Sequence, residues 1–349
     1  MEKSFFIAYL GNIYFDTRSL NLINSLKEKS NSISAVGFEW RDHSKINTKQ
    51  KEIKIYSLSK KKSSLFFYLK FVFILLIELL SSKANYFFAM DLYTLPFVVI
   101  VAKLKKGIVI YDARELFGFL AGLVEKDKIQ SILRFIEKKF IGKASIVIAT
   151  GEMDAEFLAK EYSLSNIVVL RNLPKYNKNF TQIDFRTELK IPDNKLILIY
   201  QGIVLHGRGL KIIFDALQNL KDKFHVVIVG NGEQLDFYKS LAESMKLSEC
   251  VTFVGRIEQD KLLNYTSSAD VGLSLIENVS LSYYYALPNK LFEYIMAEVP
   301  LLSSNLPQMQ KIVENYSVGF VYDLEKNNLN ELLLRSEEHT SELQSRHNL

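Results

Sequence analysis

Cysteine is nearly absent from this chain of 349 residues: Cys250 stands alone, which excludes an internal disulfide framework and any site built from several thiolates, and fits a reducing compartment. Cys250 precedes a predicted strand with no base near it in sequence, so a nucleophilic role is not expected. Histidine is sparse too. Of the five, His43, His206 and His225 are too scattered for a recognisable metal site. His225 begins a strand and reads as structural, whereas His206 falls in a loop where ligand contact and plain exposure are equally open. No secretory signal is recognisable, because MEKSFFIAYLGN carries only a short apolar stretch that ends at a glycine and reads as a first strand. A single apolar run is long, SLFFYLKFVFILLIELL over residues 64–80. Lys70 and Glu78 interrupt it, and it is shorter than the ~20 residues of a membrane span. Two readings remain: a buried helix packed on a sheet, or a helix partly exposed to a bilayer interface, helped by Lys60, Lys61 and Lys62 upstream.

What is present is ordinary globular material, 48% hydrophobic and 24% charged, enough for sizeable cores and, at this length, for two domains. Its charge is uneven. Residues 1–180 hold 28 Lys and Arg against 17 Asp and Glu, while residues 181–349 hold 16 against 22. The basic half suits an anionic partner such as a phospholipid surface or a lipid phosphate, so peripheral contact with an anionic membrane is expected and nucleic acid is not. The end of the chain stands apart. RSEEHTSELQS, residues 335–345, matches the frame translation of a common short-read sequencing adapter and has no apolar period. Residues 335–349 are therefore expected to be an artefactual tail, with the natural chain continuing past Leu334.

Elsewhere, short apolar runs alternate with helix-length amphipathic segments. FFIAYLG, ISAVGF, KIYSL, NYFFAM, GIVIYDA, SIVIAT and NIVVLRN fall in the first half; LILIYQG, HVVIVGNG, VTFVG, DVGLSL and VPLLSS fall in the second. Strands of this length, spaced in this way, indicate βα units and parallel sheets. Proline is rare, six in all, and two of the six lie in the polar segment 171–195, where the pattern breaks and restarts. The expected architecture is α/β, with two Rossmann-like, doubly wound domains facing across a cleft: residues 1–175, a linker over 176–194, and residues 195–334. Ligands of such sheets bind beyond the carboxyl ends of the strands.

Glycines mark two of those ends. LILIYQG closes on Gly202, and the loop VLHGRG, with Gly207 and Arg208, leads into the helical segment LKIIFDALQNL. Such glycines admit a ligand close to the backbone, and Arg208 sets a fixed charge beside the amides of a helix N-terminus, which suits a diphosphate. HVVIVGNG closes on Gly230, Asn231 and Gly232, a turn that either admits a nucleotide or is an ordinary βα turn. In ALPNKLFEYIMAEVP, Pro288, Asn289 and Lys290 open a helix whose free amides and lysine can hold phosphate oxygens. Glu293 follows one turn on, where a carboxylate can accept from two vicinal ribose hydroxyls. The plainer alternatives are a surface charge for Lys290 and helix-dipole stabilisation of ~0.3–1 kcal/mol for Glu293. Arg171 and Asn172 read as capping residues at the linker.

Taken in order, YQGIVLHGRGL, VIVGNGE, VTFVGRI, SSADVGLSLIE, LPNKLFEYIMAEVPLLSS and VGFVYD resemble the donor-binding domain of family 4 glycosyltransferases, which have the GT-B fold. GNIYFDTRS, ANYFFAMDLYTLP, IVIYDARELF, IEKKFIGKASIVIATGEMDAEFLAKEY and IVVLRNLP are similar to the first domain of that family. The resemblance covers residues 5–323. It implies transfer of a sugar from a nucleotide-diphosphate donor with retention of configuration, with no catalytic metal and no cofactor besides the donor. The implied acceptor is a saccharide or lipid-linked saccharide, the implied setting surface polysaccharide synthesis (lipopolysaccharide or capsule) in the cytoplasm or at the inner face of the membrane. The resemblance also implies roles: Glu293 on the donor ribose, Arg208 and Lys290 on the leaving diphosphate, Asn289 on the phosphates and donor sugar, and Gly11 and Asn12 in a loop facing the donor. No Asp-x-Asp occurs in the chain, in keeping with charge neutralisation by Arg208 and Lys290 instead of a bound cation.

Three positions depart from the family pattern. Tyr285 stands where a second glutamate, eight residues before Glu293, is usual, and Ile203 where a basic residue often follows the strand's glycine. Arg114 replaces a histidine in DARE, and an arginine cannot serve as a base near neutral pH. Retaining transfer does not need a strong enzymic base if the departing phosphate takes the acceptor proton. The departures keep two rivals open, a non-catalytic sugar-nucleotide-binding partner subunit and a sugar-nucleotide epimerase of the same architecture. In the family the final helices cross back onto the first domain, so a chain whose natural sequence stops at Leu334 is expected to hold its domains loosely.

Overall fold

A computed structural model describes residues 3–30, 32–40, 50–59, 64–177, 179–323, 329–331 and 333–334. His43, Lys60, Lys61, Lys62 and the tail 335–349 lie outside the described residues. The chain divides into two units between Asn172 and Leu173, and each is built on its own parallel sheet.

The first sheet has strands β1 (Phe5–Ala8), β2 (Ile33–Glu39), β3 (Ile53–Ser57), β4 (Tyr86–Ala89), β5 (Ile108–Ala113), β6 (Ile146–Ala149) and β7 (Ile167–Val169), in the order β3-β2-β1-β4-β5-β6-β7. The second has β8 (Leu196–Gln201), β9 (Phe224–Val229), β10 (Val251–Gly255), β11 (Val271–Ser274), β12 (Leu301–Ser304) and β13 (Gly319–Tyr322), in the order β10-β9-β8-β11-β12-β13. Both are Rossmann orders. Each reverses once, at β1/β4 and at β8/β11, where loops leaving the strands diverge and open a crevice at the carboxyl edge.

The runs of β-branched and aromatic residues explain the sheets, because a parallel strand covered by helices on both faces must be apolar on both. β9, FHVVIV, is buried at all six positions. Successive residues of β8 point to opposite faces: Leu198 and Tyr200 join Phe214 and Leu273 in one core, while Ile197 and Ile199 join Tyr294 and Leu301 in the other. The polar segment 176–194 carries a short helix, Phe185–Leu189. Phe185 and Ile191 are buried in the core of the second unit, so two apolar side chains dock a stretch whose composition reads as a tether.

The long apolar run forms the helix Ser64–Ser81. Phe67, Phe71, Leu75 and Leu79 repeat every fourth residue and are buried, with Phe71 edge-on to Phe38 of β2 at 4.8 Å. Its other side meets solvent. The two readings of this run thus divide by face, one stripe on the sheet and the opposite stripe exposed.

A charge network ties the first helix to the sheet. Arg18, on the helix Thr17–Lys27, donates twice to Asp112 at 2.7 Å and once to the Leu170 carbonyl at 2.9 Å. Arg114 donates to both carboxylate oxygens of Asp16, at 2.8 and 2.6 Å. Burial pushes the Asp16 carboxyl up, but the Arg114 guanidinium and the hydrogen bonds from Ser19 together outweigh it and hold the group below the usual carboxylate range. Arg18 and Asp112 are 8% and 2% exposed, and a buried pair stripped of Arg18 leaves Asp112 with only the more distant Arg114 Nε, at 3.8 Å, to offset its charge. Arg18→Ala is therefore expected to destabilise the first unit by about 3–5 kcal/mol, read as a lower urea midpoint; a loss below about 1 kcal/mol would show that the network does not brace this unit.

Candidate functional site

At the β8/β11 switch point the loops after β8, β9 and β11 run against one another through their backbones. Val204 N–H donates to the Asn231 carbonyl at 3.0 Å, and Glu277 N–H to the Gly207 carbonyl at 3.0 Å. A Cβ on Gly230 would stand 1.9 Å from the Gly202 carbonyl oxygen, and one on Gly232 would stand 2.1 Å from that of Val204. The closeness these two glycines permit is therefore used by the protein's own chain, as in an ordinary tight βα turn. Gly202 differs: its φ is +116° and the space beside its Cα is open. Asn231 accepts from Gly232 N–H at 2.7 Å, which holds the turn.

Helix Asn289–Met296 follows the β11 loop, with Pro288 in the extended conformation before it. The first N–H groups of such a helix have no acceptor within it. Glu293, one turn in, is 6% exposed, and both its oxygens are held: Oε2 accepts from Gln201 Nε2 at 2.5 Å and Oε1 from Gln259 Nε2 at 3.0 Å. Gln201 is oriented in turn by the Thr266 hydroxyl, which donates to its Oε1 at 2.7 Å. Burial raises the Glu293 pKa, and the two amides and Lys290 oppose the rise without cancelling it. The carboxylate is thus fixed in place and retains lone pairs for further donors.

Lys290 is the anomaly. It is 7% exposed, its Nζ has no hydrogen-bond partner among the described residues, and it rests 4.0 Å above the centre of the Tyr200 ring. Burial first, then the positive charge of Arg208, pull its pKa down to about 7, against the attraction of Glu293. Arg208 also has a buried, unpartnered Nε, and its guanidinium lies 4.3 Å over the Tyr283 ring. A cation over an aromatic ring gains ~0.5–2 kcal/mol, whereas taking an ammonium ion out of water costs several. Stacking does not offset burial. An anion beside both cations would.

The helix mouth beside Arg208 carries a carboxylate of its own, since Gly209 N–H, ahead of helix Leu210–Leu217, donates to Glu277 Oε1 at 3.3 Å. The available helix end is accordingly the one at Asn289. His206 and Ile203 are exposed on the same loop. Tyr285, in the position of the missing glutamate, lies tilted at 46° against Tyr284, ring centres 5.4 Å apart. His225 is buried, with Nε2 2.8 Å from Thr252 Oγ1, and burial lowers its pKa to about 4; it is a neutral structural residue. Cys250 is buried with Sγ on the Leu247 carbonyl.

Gly11 and Asn12 belong to the first unit, at the carboxyl end of β1. The Gly11 carbonyl accepts from Phe38 N–H at 2.9 Å. Asn12 accepts from Tyr14 N–H at 3.1 Å and donates to Glu39 at 2.6 Å. Arg171 pairs with Glu152 at 2.5 Å. The structure therefore groups Gly202, Gly207, Arg208, Gly230, Asn231, Gly232, Pro288, Asn289, Lys290 and Glu293 in the second unit. It adds Gln201, Gln259, Tyr200 and Tyr283, which sequence reasoning passes over. Gln201 has a local signal, a polar residue ending an apolar strand beside a glycine; Gln259 and Tyr283 have none.

The cost of Lys290 sets a pH dependence. Its folded pKa of about 7 lies below the ordinary 10.5, so the penalty for keeping it charged is complete below about pH 7 and vanishes as pH rises past the unfolded value. Lys290→Met should melt at a higher temperature than the parent at pH 6, with the gap closing by pH 10. A gap that is absent at pH 6, or constant with pH, would contradict this.

Comparison with known proteins adds a likeness over part of the chain. Residues 181–348 match the family described as Glycosyl transferases group 1. Alpha-monoglucosyldiacylglycerol synthase of Streptococcus pneumoniae is 21% identical over 144 residues, 40% of this chain and 31% of the synthase; the chain spans about a third of the length of the curated relatives it matches. Among solved structures, sucrose-phosphate synthase from Thermosynechococcus elongatus aligns with a TM-score of 0.73 at 15% identity, covering 97% of this chain and 91% of that one. HepE of Anabaena, in complex with UDP, aligns with a TM-score of 0.67 at 15% identity, covering 98% and 91%. At such identity the structural likeness is one of fold. Residues 181–348 are thus similar to the group 1 glycosyl transferases, and the two parallel sheets have the architecture of GT-B glycosyltransferases.

Proposed function

We propose that this chain is a glycosyltransferase whose second unit holds a nucleoside-diphosphate sugar. The observation that carries the reading is the buried Lys290 Nζ and the buried Nε of Arg208, neither with a hydrogen-bond partner among the described residues, beside the helix end at Asn289 and the fixed carboxylate of Glu293. A diphosphate supplies the missing negative charge at the helix N-terminus. The two carboxylate oxygens of Glu293, each already aligned by a glutamine amide, accept from a pair of vicinal ribose hydroxyls. The match to group 1 glycosyl transferases and the likeness to a UDP-bound protein support the same donor class.

In the reaction the bond from the anomeric carbon to the diphosphate oxygen breaks, and its electron pair stays on the leaving phosphate. The acceptor oxygen forms the new bond on the same face, so configuration is retained, and its proton passes to the departing phosphate. Arg208 and Lys290 are in place before that charge develops, which is how preorganised charge lowers a barrier. They supply the neutralisation that a divalent cation would otherwise provide, and no metal is proposed. The acceptor is a saccharide or lipid-linked saccharide taken by the more basic first unit, in the synthesis of a surface polysaccharide on the cytoplasmic face of a membrane. Likeness to a synthase of a glucosylated diacylglycerol supports a lipid acceptor.

A second reading, a partner subunit that binds the donor without turnover, is favoured by Arg114. Its guanidinium is locked on Asp16 and offers no base.

A thermal-shift series with UDP, GDP, TDP, ADP and CMP tests the site. One nucleoside diphosphate at a hundred times its Kd should add ~2.7 kcal/mol, a rise of a few degrees in a chain of this size, and the rise should disappear in Glu293→Ala. Gln201→Leu should weaken the same ligand about tenfold, or 1.4 kcal/mol. Stabilisation by none of them would overturn the donor site. Stabilisation without release of nucleoside diphosphate from any sugar donor, lipid acceptor present, would select the second reading.

A further inference from the structure

The first unit carries an apolar surface that its fold does not cover. The crossovers β3→β4, β4→β5 and β5→β6 all run in the same direction across the sheet, and right-handed crossovers in one direction put their helices on one face. The helices Ser64–Ser81, Leu95–Leu104 and Asp127–Phe140 therefore lie side by side. On the first, Phe66, Leu69, Phe73, Ile77 and Leu80 are 50–66% exposed and spaced three or four apart, opposite the buried stripe. Ile100 and Leu104 continue the surface on the second, at 48% and 72%. Ile129, Ile132 and Phe135 do so on the third, at 47%, 58% and 65%.

The exposed charge on these three helices is mostly positive. Lys70, Lys103, Lys128, Lys138 and Lys139 are exposed on the same three helices. Of the carboxylates there, Glu137 is buried and accepts from Tyr111 and Tyr162 at 2.7 and 2.9 Å, and Glu78 pairs with Lys54 at 2.9 Å; only Asp127 is left. A second copy would bring lysines against lysines, whereas lipid phosphates would neutralise them. Helix Ser64–Ser81 is long and apolar enough to cross a membrane, but Phe67, Phe71, Leu75 and Leu79 bind it to the sheet along its whole length of ~27 Å.

We propose that this three-helix face of the first unit docks flat on an anionic bilayer, with its aromatic and aliphatic side chains in the headgroup–acyl boundary and its lysines on lipid phosphates. The proposal deepens the lipid-linked acceptor reading, from which it takes its purpose, but its physical basis is independent of the donor site.

The test is flotation of the full chain with vesicles of phosphatidylcholine alone and with 30% phosphatidylglycerol, at low and high salt. The parent should float with the anionic vesicles at least ten times more than with neutral ones, and less as salt rises. Phe73→Glu and Phe135→Glu should each cut flotation fivefold or more with unchanged circular dichroism, while Phe237→Glu, an exposed change in the second unit, should leave it unaltered. No flotation, or flotation indifferent to both changes, would overturn the proposal. So would sedimentation as a lipid-free dimer that either change dissociates, because the face would then belong to a second copy. Nucleoside-diphosphate thermal shifts of the same variants separate this outcome from failure of the donor site, since a membrane defect leaves them intact.

Discussion

Lys290 is an amine whose charged form is removed from water with no hydrogen-bonded counter-charge among the described residues, and the arrangement of the second unit follows from that. Tyr200 gives it an aromatic floor, Arg208 adds a second positive charge where one is already too many, and Glu293 is near enough to attract it without bonding to it. A fold that only had to be stable would replace such a lysine. The constraint makes sense when the negative charge comes from outside, and the switch point of a doubly wound sheet, beside a free helix end, is where an outside anion can reach.

The first unit meets the same problem of buried charge and solves it internally. Arg18 and Arg114 each have a carboxylate of their own, Asp112 and Asp16, so their charge is spent on holding the first helix to β5. This contrast distinguishes a structural arginine from one available to a ligand better than residue type does. It also accounts for Arg114 in place of a histidine: the position has become part of the brace.

Much of this was legible in the sequence, for reasons that can be named. Parallel strands buried on both faces, such as β9, are continuous apolar runs, and their spacing gives away the βα order of both sheets. The cationic and carboxylate residues at 208, 290 and 293 stand out because they interrupt apolar elements beside turns. What stayed hidden depends on contacts distant in sequence. Gln201 and Glu293 are 92 residues apart, and nothing local in Gln259 or Tyr283 announces their use. The helix Ser64–Ser81 is apolar on every side, so no periodicity separates the stripe that packs from the stripe that does not. Gly230 and Gly232 have the residue type of a ligand loop, yet the space they leave is filled by backbone. Phe185 docks a segment whose average composition is that of a tether.

The account turns on Lys290 being largely uncharged at pH 8 until its anion arrives. Titration calorimetry of nucleoside-diphosphate binding at pH 8, repeated in buffers of different ionisation enthalpy, measures this directly. With a free-state pKa of about 7, binding that restores the charge should draw up nearly one proton per site, and Lys290→Arg, which is always charged, should bind without that uptake. Binding by the parent with no proton uptake at pH 8, or equal uptake in Lys290→Arg, would contradict the central claim.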